Sequence, residues 1–145
     1  MARNRRSWIY SIAFAVWCTG TVWLWFHYFV KSVDGLGFEV PHPAEKWSLI
    51  VHALVSSYAI WWFGTLWNDH IKAGWKARVQ RWSGGILVGY VSWLAMTGYP
   101  LYYIVNDTWR DRVSLLHWTM GLSAVAAFVL HLPRAASRRR RKRSR

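Results

Sequence analysis

The chain has 145 residues, 54% of them hydrophobic, with 13 Trp and a formal net charge of +13. A soluble domain of this size does not need continuous apolar stretches of about 20 residues, the length that crosses the hydrocarbon layer of a bilayer. The stretches in this sequence therefore exclude an ordinary soluble domain and predict an integral membrane protein.

Four apolar stretches predict an all-α fold, an integral membrane four-helix bundle. In chain order they cover roughly residues 8–30, 47–67, 84–105 and 113–132. The first follows an arginine-rich start, as in a signal peptide, but its length and the lack of a small-residue cleavage site before Lys31 favour a membrane anchor. The third contains glycines and Pro100, which spanning helices tolerate. We predict a four-span domain over residues 1–133 and a polybasic cytoplasmic tail over residues 134–145.

The distribution of charge predicts the orientation. Fifteen of the 19 Lys and Arg residues lie before the first stretch, between the second and third, or after the fourth. The other two connections hold five of the six Asp and Glu residues. By the positive-inside rule, both termini are cytoplasmic. We expect the basic tail to contact anionic membrane lipid and not nucleic acid, because polybasic segments directly after a spanning helix serve that role.

Two histidines in the last stretch are the most specific signal in the chain. His117 and His131 are fourteen residues apart inside the apolar run 115–132. On an α-helix, fourteen residues return to within about 40° of the same face and climb about 21 Å. Buried neutral imidazole is an axial ligand of haem iron, so this spacing predicts one ligand for each of two stacked b-type haems. The alternative is two structural histidines that hydrogen-bond neighbouring helices.

Three further histidines are candidate partners of these ligands. His52 and His70 are eighteen residues apart, which is five α-helical turns, so they share a face of the second stretch. The predicted pairs are His52 with His117 for an outer haem and His70 with His131 for an inner haem. Eighteen residues climb about 27 Å against about 21 Å for fourteen, so one pair is out of level unless the helices tilt differently. This mismatch leaves His27 as an alternative to His52.

His42 and Cys18 are assigned other roles. His42 lies between two prolines in the outer loop, as a rigid-turn residue or a proton-handling group at a quinone site. Cys18 is the single cysteine and no Cys-x-x-Cys-His motif is present, so neither covalent c-type haem, nor an iron–sulfur cluster, nor an internal disulfide is expected.

Several motifs resemble those of a known family. They are Arg81-Trp82-Ser83-Gly84-Gly85, Met96-Thr97-Gly98-Tyr99-Pro100-Leu101-Tyr102-Tyr103, and Leu116-His117-Trp118-Thr119-Met120-Gly121 with His131. In these the chain resembles small bacterial cytochrome-b-like membrane proteins, relatives of the gamma subunits of respiratory formate dehydrogenases and the b subunits of nickel-iron hydrogenases. From about Trp23 to Pro133 it is similar to a short four-span group, mostly of unassigned function, that shares His27-Tyr28-Phe29, Pro41-His42-Pro43, His52 and His70-Ile71-Lys72-Ala73-Gly74-Trp75.

The resemblance implies that His117 and His131 are haem ligands, with His52 and His70 as their partners. The chain departs from the larger relatives at the start of the third stretch, where they place a ligand histidine and it has Ser83-Gly84-Gly85. The resemblance also implies two haem b groups in the bacterial inner membrane, and electron transfer between the quinone pool and a periplasmic cytochrome c or oxidoreductase subunit. The chain would then be a non-catalytic electron-transfer subunit of a larger respiratory complex, with a quinol-oxidising or quinone-reducing site as a further option.

Two other functions agree with the same sequence. One is a haem-free membrane anchor or assembly subunit of a periplasmic complex. The other is a small transporter or metal-ion permease whose histidines bind a transition metal. The predicted spans contain no Asp or Glu, which argues against proton-coupled transport.

Overall fold

A computed structural model describes residues 3–78 and 80–143 of the chain, with side chains over residues 5–78 and 80–132. The described residues form four long helical segments and one small hairpin, which confirms the predicted helical class. The elements are α1 (Arg3–Phe29), β1 (Lys31–Val33), β2 (Glu39–Pro41), α2 (Pro43–Leu66), a π-helical turn (Trp67–Lys72), α3 (Ala73–Lys76), α4 (Arg81–Gly98), a 3₁₀ turn (Pro100–Tyr102) and α5 (Asp107–Arg143). The short α3 continues the second helical segment beyond the π turn.

Three of these segments, within the described residues, are long and apolar enough to cross a membrane: Arg5–Phe29, Pro43–Lys76 and Asp107–Leu132. The third predicted span is a helix, but α4 has only 18 residues and is not among the three. It ends at Gly98 because Pro100 lacks a backbone N–H and begins a 3₁₀ turn. The predicted boundary at residue 105 was therefore wrong for the helix.

The chain divides into two compact units, Met1–Phe63 and Gly64–Arg145. In the first unit, α1 and α2 are antiparallel neighbours that side chains connect at several points. Trp8 lies against Trp62 with ring centroids 6.5 Å apart, and Thr19 contacts His52 near the middle. This antiparallel pairing fixes which residues of α1 meet which residues of α2.

The connection between α1 and α2 contains an antiparallel β-hairpin that the sequence analysis did not predict. Lys31 pairs with Pro41, and Val33 pairs with Glu39. The Asp34 carboxylate accepts hydrogen bonds from the backbone N–H groups of Leu36 and Phe38 at 2.9 and 2.8 Å. These bonds close the turn locally, so a three-residue strand forms without a hydrophobic pattern long enough to predict it.

In the second unit, α4 and α5 form an antiparallel hairpin. Ser123 donates a hydrogen bond to Tyr90 across its middle at 3.2 Å, and a Cβ added at Gly121 would lie 3.9 Å from Leu94. Among the described side chains of the whole protein, only Leu66 and Ser83 are buried. The long apolar faces left open are those expected of helices that are solvated by lipid.

Candidate functional site

Each of the three Ser/Thr–Gly dipeptides in the sequence contacts a histidine that the sequence analysis predicts as a haem ligand. We call such a dipeptide a hydroxyl–glycine step. The hydroxyl oxygen lies 2.9 to 3.0 Å from the imidazole Nδ1 in every case, and the glycine lies beside Cε1 of the same ring. The three contacts are Thr19-Gly20 with His52, Thr97-Gly98 with His117, and Ser83-Gly84 with His131.

Thr97 determines which nitrogen of His117 carries a proton. The Thr97 hydroxyl donates to the Trp93 carbonyl at 2.8 Å, so its one proton is used within its own helix. The contact of 2.9 Å between Thr97 Oγ1 and His117 Nδ1 therefore has Nδ1–H as the donor. This hydrogen bond selects the tautomer with its lone pair on Nε2, the arrangement that metal-binding histidines use.

The position of the His117 imidazole leaves no room for a side chain at Gly98. A Cβ at residue 98 would lie 2.9 Å from His117 Cε1, well inside the separation of about 3.5–4.0 Å at which carbon atoms pack. An alanine at this position would have to displace the ring. The glycine thus allows α4 to approach the histidine closely enough for the Thr97 hydrogen bond.

Ser83 holds His131 in the same way at the other end of the α4–α5 hairpin. Its hydroxyl donates to the Gln80 carbonyl at 3.4 Å and lies 3.0 Å from His131 Nδ1. An added Cβ at Gly84 would lie 3.9 Å from His131 Cε1, an ordinary contact. The Ser83-Gly84 step therefore fits its ring less tightly than the Thr97-Gly98 step does.

The two steps on α4 match the two histidines on α5 in spacing. Ser83 and Thr97 are fourteen residues apart, as are His117 and His131. Because the two helices are antiparallel, each hydroxyl meets its own histidine at one end of the hairpin. The second unit thus contains two imidazole sites of similar construction, separated along the helix by about 21 Å.

The first unit contains a third site of the same construction. The Thr19 hydroxyl donates to the Ala15 carbonyl at 2.8 Å and accepts from His52 Nδ1 at 3.0 Å. A Cβ at Gly20 would lie 3.0 Å from His52 Cε1. His52 is half-buried, and this hydroxyl geometry favours a lone pair on Nε2, as at His117.

His27 has a different environment in the same unit. Its Nδ1 lies 2.6 Å from Glu45 Oε1, and its ring stacks on Trp23 with centroids 4.7 Å apart. The Glu45 side chain is only 16% exposed, and its second oxygen, like the Trp23 indole nitrogen, is buried without a hydrogen-bond partner. His27 and His52 therefore bind different partners, and His27 has no hydroxyl–glycine step.

His70 and His42 lie outside regular α-helix. His70 is exposed in the π-helical turn Trp67–Lys72. The five-turn spacing from His52 assumed an uninterrupted α-helix, and the wider π turn breaks that periodicity, as π turns near functional positions do. His42 caps the start of α2, where its Nδ1 accepts a hydrogen bond from the Ala44 backbone N–H at 3.1 Å. The Nδ1 lone pair of His42 is therefore used in this bond, whereas the geometry at His52 favours a proton on Nδ1.

The three steps fit the requirements of a haem ligand. A b-type haem needs one neutral imidazole on each axial side, because the porphyrin nitrogens fill the other positions around iron. Each hydroxyl–glycine step contacts one imidazole through Nδ1, so each could orient one axial ligand. Within the part of the chain that the structure describes, no group of three or more His, Cys, Asp or Glu side chains could hold a metal ion.

The hydroxyl residues of the three steps were not predicted as site residues from the sequence: Thr19, Ser83 and Thr97. A signal was present, because the chain has only three Ser/Thr–Gly dipeptides and two of them repeat the fourteen-residue spacing of the histidines. A hydroxyl in a helix ordinarily bonds the carbonyl of its own preceding turn, so its contact with another helix is not visible in one sequence.

The chain matches no protein-family model, no curated protein and no solved structure. The resemblance to cytochrome-b-like proteins therefore stays a prediction, and the contacts described above are what bears on function.

Proposed function

We propose that the protein is a di-haem b-type cytochrome of the bacterial inner membrane. In this proposal His52 and His117 bind the outer haem, and His70 and His131 bind the inner haem. The observation that carries the proposal is the match between two hydroxyl–glycine steps on α4 and two histidines on α5, fourteen residues apart on both helices.

The choice of nitrogen favours ligation over a purely structural role. A histidine that only links two helices can use either ring nitrogen for its hydrogen bond. All three histidines at the steps present Nδ1 to the hydroxyl. At Thr19 and Thr97 the hydroxyl also contacts a carbonyl of its own helix at 2.8 Å, which favours a proton on Nδ1 and the lone pair on Nε2. This is the arrangement in which a second hydrogen bond orients a metal-binding imidazole.

The hydroxyl–glycine step also favours His52 over His27 as the outer ligand. His52 and His117 have the same partner chemistry and nearly the same close glycine contact, 3.0 and 2.9 Å for the added Cβ. His27 instead is hydrogen-bonded to a carboxylate. We assign His27 and Glu45 to the outer edge of the site, because seven residues, or about 10 Å of helix, separate His27 from Gly20.

Bound haem would supply two one-electron redox centres, one towards each surface of the membrane. The chain itself would orient the imidazoles through hydroxyl groups. We further propose that the quinone pool and a periplasmic cytochrome c or oxidoreductase subunit exchange electrons with it. The outer connections carry Asp34, Glu39, Asp107 and Asp111, a negative surface that suits a basic redox partner.

The test is the haem content of the purified full-length protein. We expect a reduced b-type absorption spectrum and about two non-covalent haems per chain by extraction. Replacing His131 by alanine should remove the inner haem, and so should replacing His70. Replacing His117 should remove the outer haem. A protein that folds in detergent but stays colourless after reconstitution with haem would show that the proposal is wrong and that a haem-free anchor is the better description.

A further inference from the structure

The turn between α3 and α4 contains a cleft of about 450 Å³ that is separate from the histidine sites. Arg78 and Gln80 both have left-handed backbone conformations, with φ of 54° and 51°. These residues reverse the chain sharply and bring the end of α3 beside the start of α4. The cleft is lined by Trp75, Arg81, Trp82, Gly85 and Ile86.

The Arg81 guanidinium is held in place at this cleft. Its Nε donates to the Trp75 carbonyl at 2.8 Å, and its Cζ lies 5.5 Å from the centre of the Trp75 ring. These two contacts use one edge and one face of the group. The two terminal nitrogens form the fork that binds phosphate oxygens in pairs, and in the described residues no carboxylate forms an ion pair with Arg81.

The surrounding charge is strongly positive. Lys72, Lys76, Arg78 and Arg81 lie within ten residues, and no Asp or Glu occurs from residue 70 to residue 106. Asp69, three residues before Lys72, offsets only one of these four positive charges in the sequence. The expected ligand is therefore an anion.

The rest of the cleft is apolar. Trp82 is 87% exposed and Ile86 is 53% exposed. An added Cβ at Gly85 would make an ordinary contact of 3.7 Å with Trp75 Cζ3, so α4 lies close to the Trp75 ring. Tryptophan rings beside an arginine are typical of the membrane–water interface. A ligand that fits both the Arg81 guanidinium and the apolar lining needs an anionic head group and an apolar chain.

We propose that this cleft binds an anionic phospholipid. Its phosphate group would contact the terminal nitrogens of Arg81, and its acyl chain would lie along Trp82 and Ile86. Basic pockets at membrane surfaces recognise acidic lipid headgroups by this chemistry. The inference does not depend on haem, because none of the cleft residues is a proposed ligand.

The test is native mass spectrometry of the full chain in detergent, titrated with phosphatidylglycerol and, separately, with phosphatidylcholine of the same acyl chains. We expect the first phosphatidylglycerol to bind about tenfold more tightly than phosphatidylcholine. Arg81→Gln should weaken that first site about tenfold, as expected for a lost charge-assisted hydrogen bond. Arg78→Gln removes the same charge from the same turn but not from the cleft lining, and it should change the affinity less than twofold.

Two further arms separate a lipid site from a simple phosphate site. Ile86→Ser should weaken phosphatidylglycerol binding, and a large excess of glycerol phosphate should not displace the lipid. Equal effects of Arg81→Gln and Arg78→Gln would overturn the proposal, as would equal affinity for the two lipids or displacement by glycerol phosphate. Should Arg81→Gln fail to fold, Arg81→Lys keeps the charge but loses the paired geometry, and it should still bind several-fold more weakly than Arg78→Lys.

Discussion

The Thr97 hydroxyl accepts a hydrogen bond from His117 Nδ1 at 2.9 Å while it donates its own proton to the Trp93 carbonyl. One threonine thereby connects the backbone of α4 to the orientation of an imidazole on α5. Thr19 and Ser83 make the same connection to their histidines. Residues that cannot bind iron themselves thus determine where three proposed ligands point.

Thr97→Val tests the hydrogen bond at the outer site. Valine keeps the shape of threonine but cannot accept from Nδ1, so His117 loses both its tautomer selection and its orientation. Loss of such a partner typically lowers the affinity of a metal site by about 10- to 100-fold. We expect reduced occupancy of one haem and a shifted midpoint potential, measured by haem extraction and a redox titration.

Thr119→Val is the matched control for this prediction. The Thr119 hydroxyl contacts the Leu115 and Leu116 carbonyls of its own helix, at 2.7 and 3.2 Å. It should leave haem content and potential unchanged, and Thr97→Ser should restore both. If Thr97→Val and Thr119→Val behave alike, Thr97 has no specific role at the haem.

Gly98→Ala tests the close approach of the helix to the ring. Its new Cβ would lie 2.9 Å from His117 Cε1, so the imidazole or α4 must move. Alanine favours a helix over glycine by about 1 kcal/mol, so a loss of haem would not arise from weaker helix formation. We expect the variant to lose one haem while its far-ultraviolet circular dichroism stays helical.

Gly84→Ala provides the comparison at the inner site. Its Cβ would make an ordinary contact of 3.9 Å with His131 Cε1, so the ring can stay in place. We expect two haems and unchanged or slightly raised thermal stability. Equal haem loss in the two alanine variants would contradict the steric explanation, because the two contacts differ by 1.0 Å.

His52→Ala and His27→Ala decide the outer ligand. His52 has the hydroxyl–glycine step, so its removal should lower the haem content from about two to about one per chain. His27→Ala should keep both haems and lower thermal stability, because Glu45 loses its partner while still largely buried. The reverse result, with haem lost only in His27→Ala, would transfer the ligand assignment to His27.

The long helices could be predicted from sequence, whereas their ends could not. A run of about 20 apolar residues specifies a spanning helix because each buried backbone group must be satisfied internally. The end of α4 depends on a local competition, in which Pro100 stops the helix although apolar residues continue to 105. The π turn at His70 is likewise a local departure that apolar content does not reveal.

The candidate ligands could be predicted, whereas the residues that orient them could not. A histidine stands out in an apolar stretch, and the spacing between two histidines indicates whether they lie on the same face of a helix. A threonine does not stand out in such a stretch. Thr21 and Thr119, for example, contact carbonyls of the preceding turn of their own helices. Thr19 and Thr97 differ from them through the antiparallel register of two helices, which is a tertiary property.

A labelling experiment tests whether α4 crosses the membrane. Eighteen residues of α-helix span about 27 Å, just short of a hydrocarbon layer of about 30 Å, so length alone does not decide. In a Cys18→Ala background, we expect Leu36→Cys and Val105→Cys to react with a membrane-impermeant maleimide from the periplasmic side. Both positions are open to reagent, at 83% and 91% exposed.

Ala77→Cys is the control for the opposite surface, because residue 77 is exposed in the basic turn that the charge distribution predicts to be cytoplasmic. It should react only after the membrane is permeabilised. If Val105→Cys behaves like Ala77→Cys and unlike Leu36→Cys, α4 does not cross. Thr97 and His117 would then approach the membrane from the cytoplasmic side, and the pairing of His117 with His52 at one outer haem would be wrong even if both histidines bind iron.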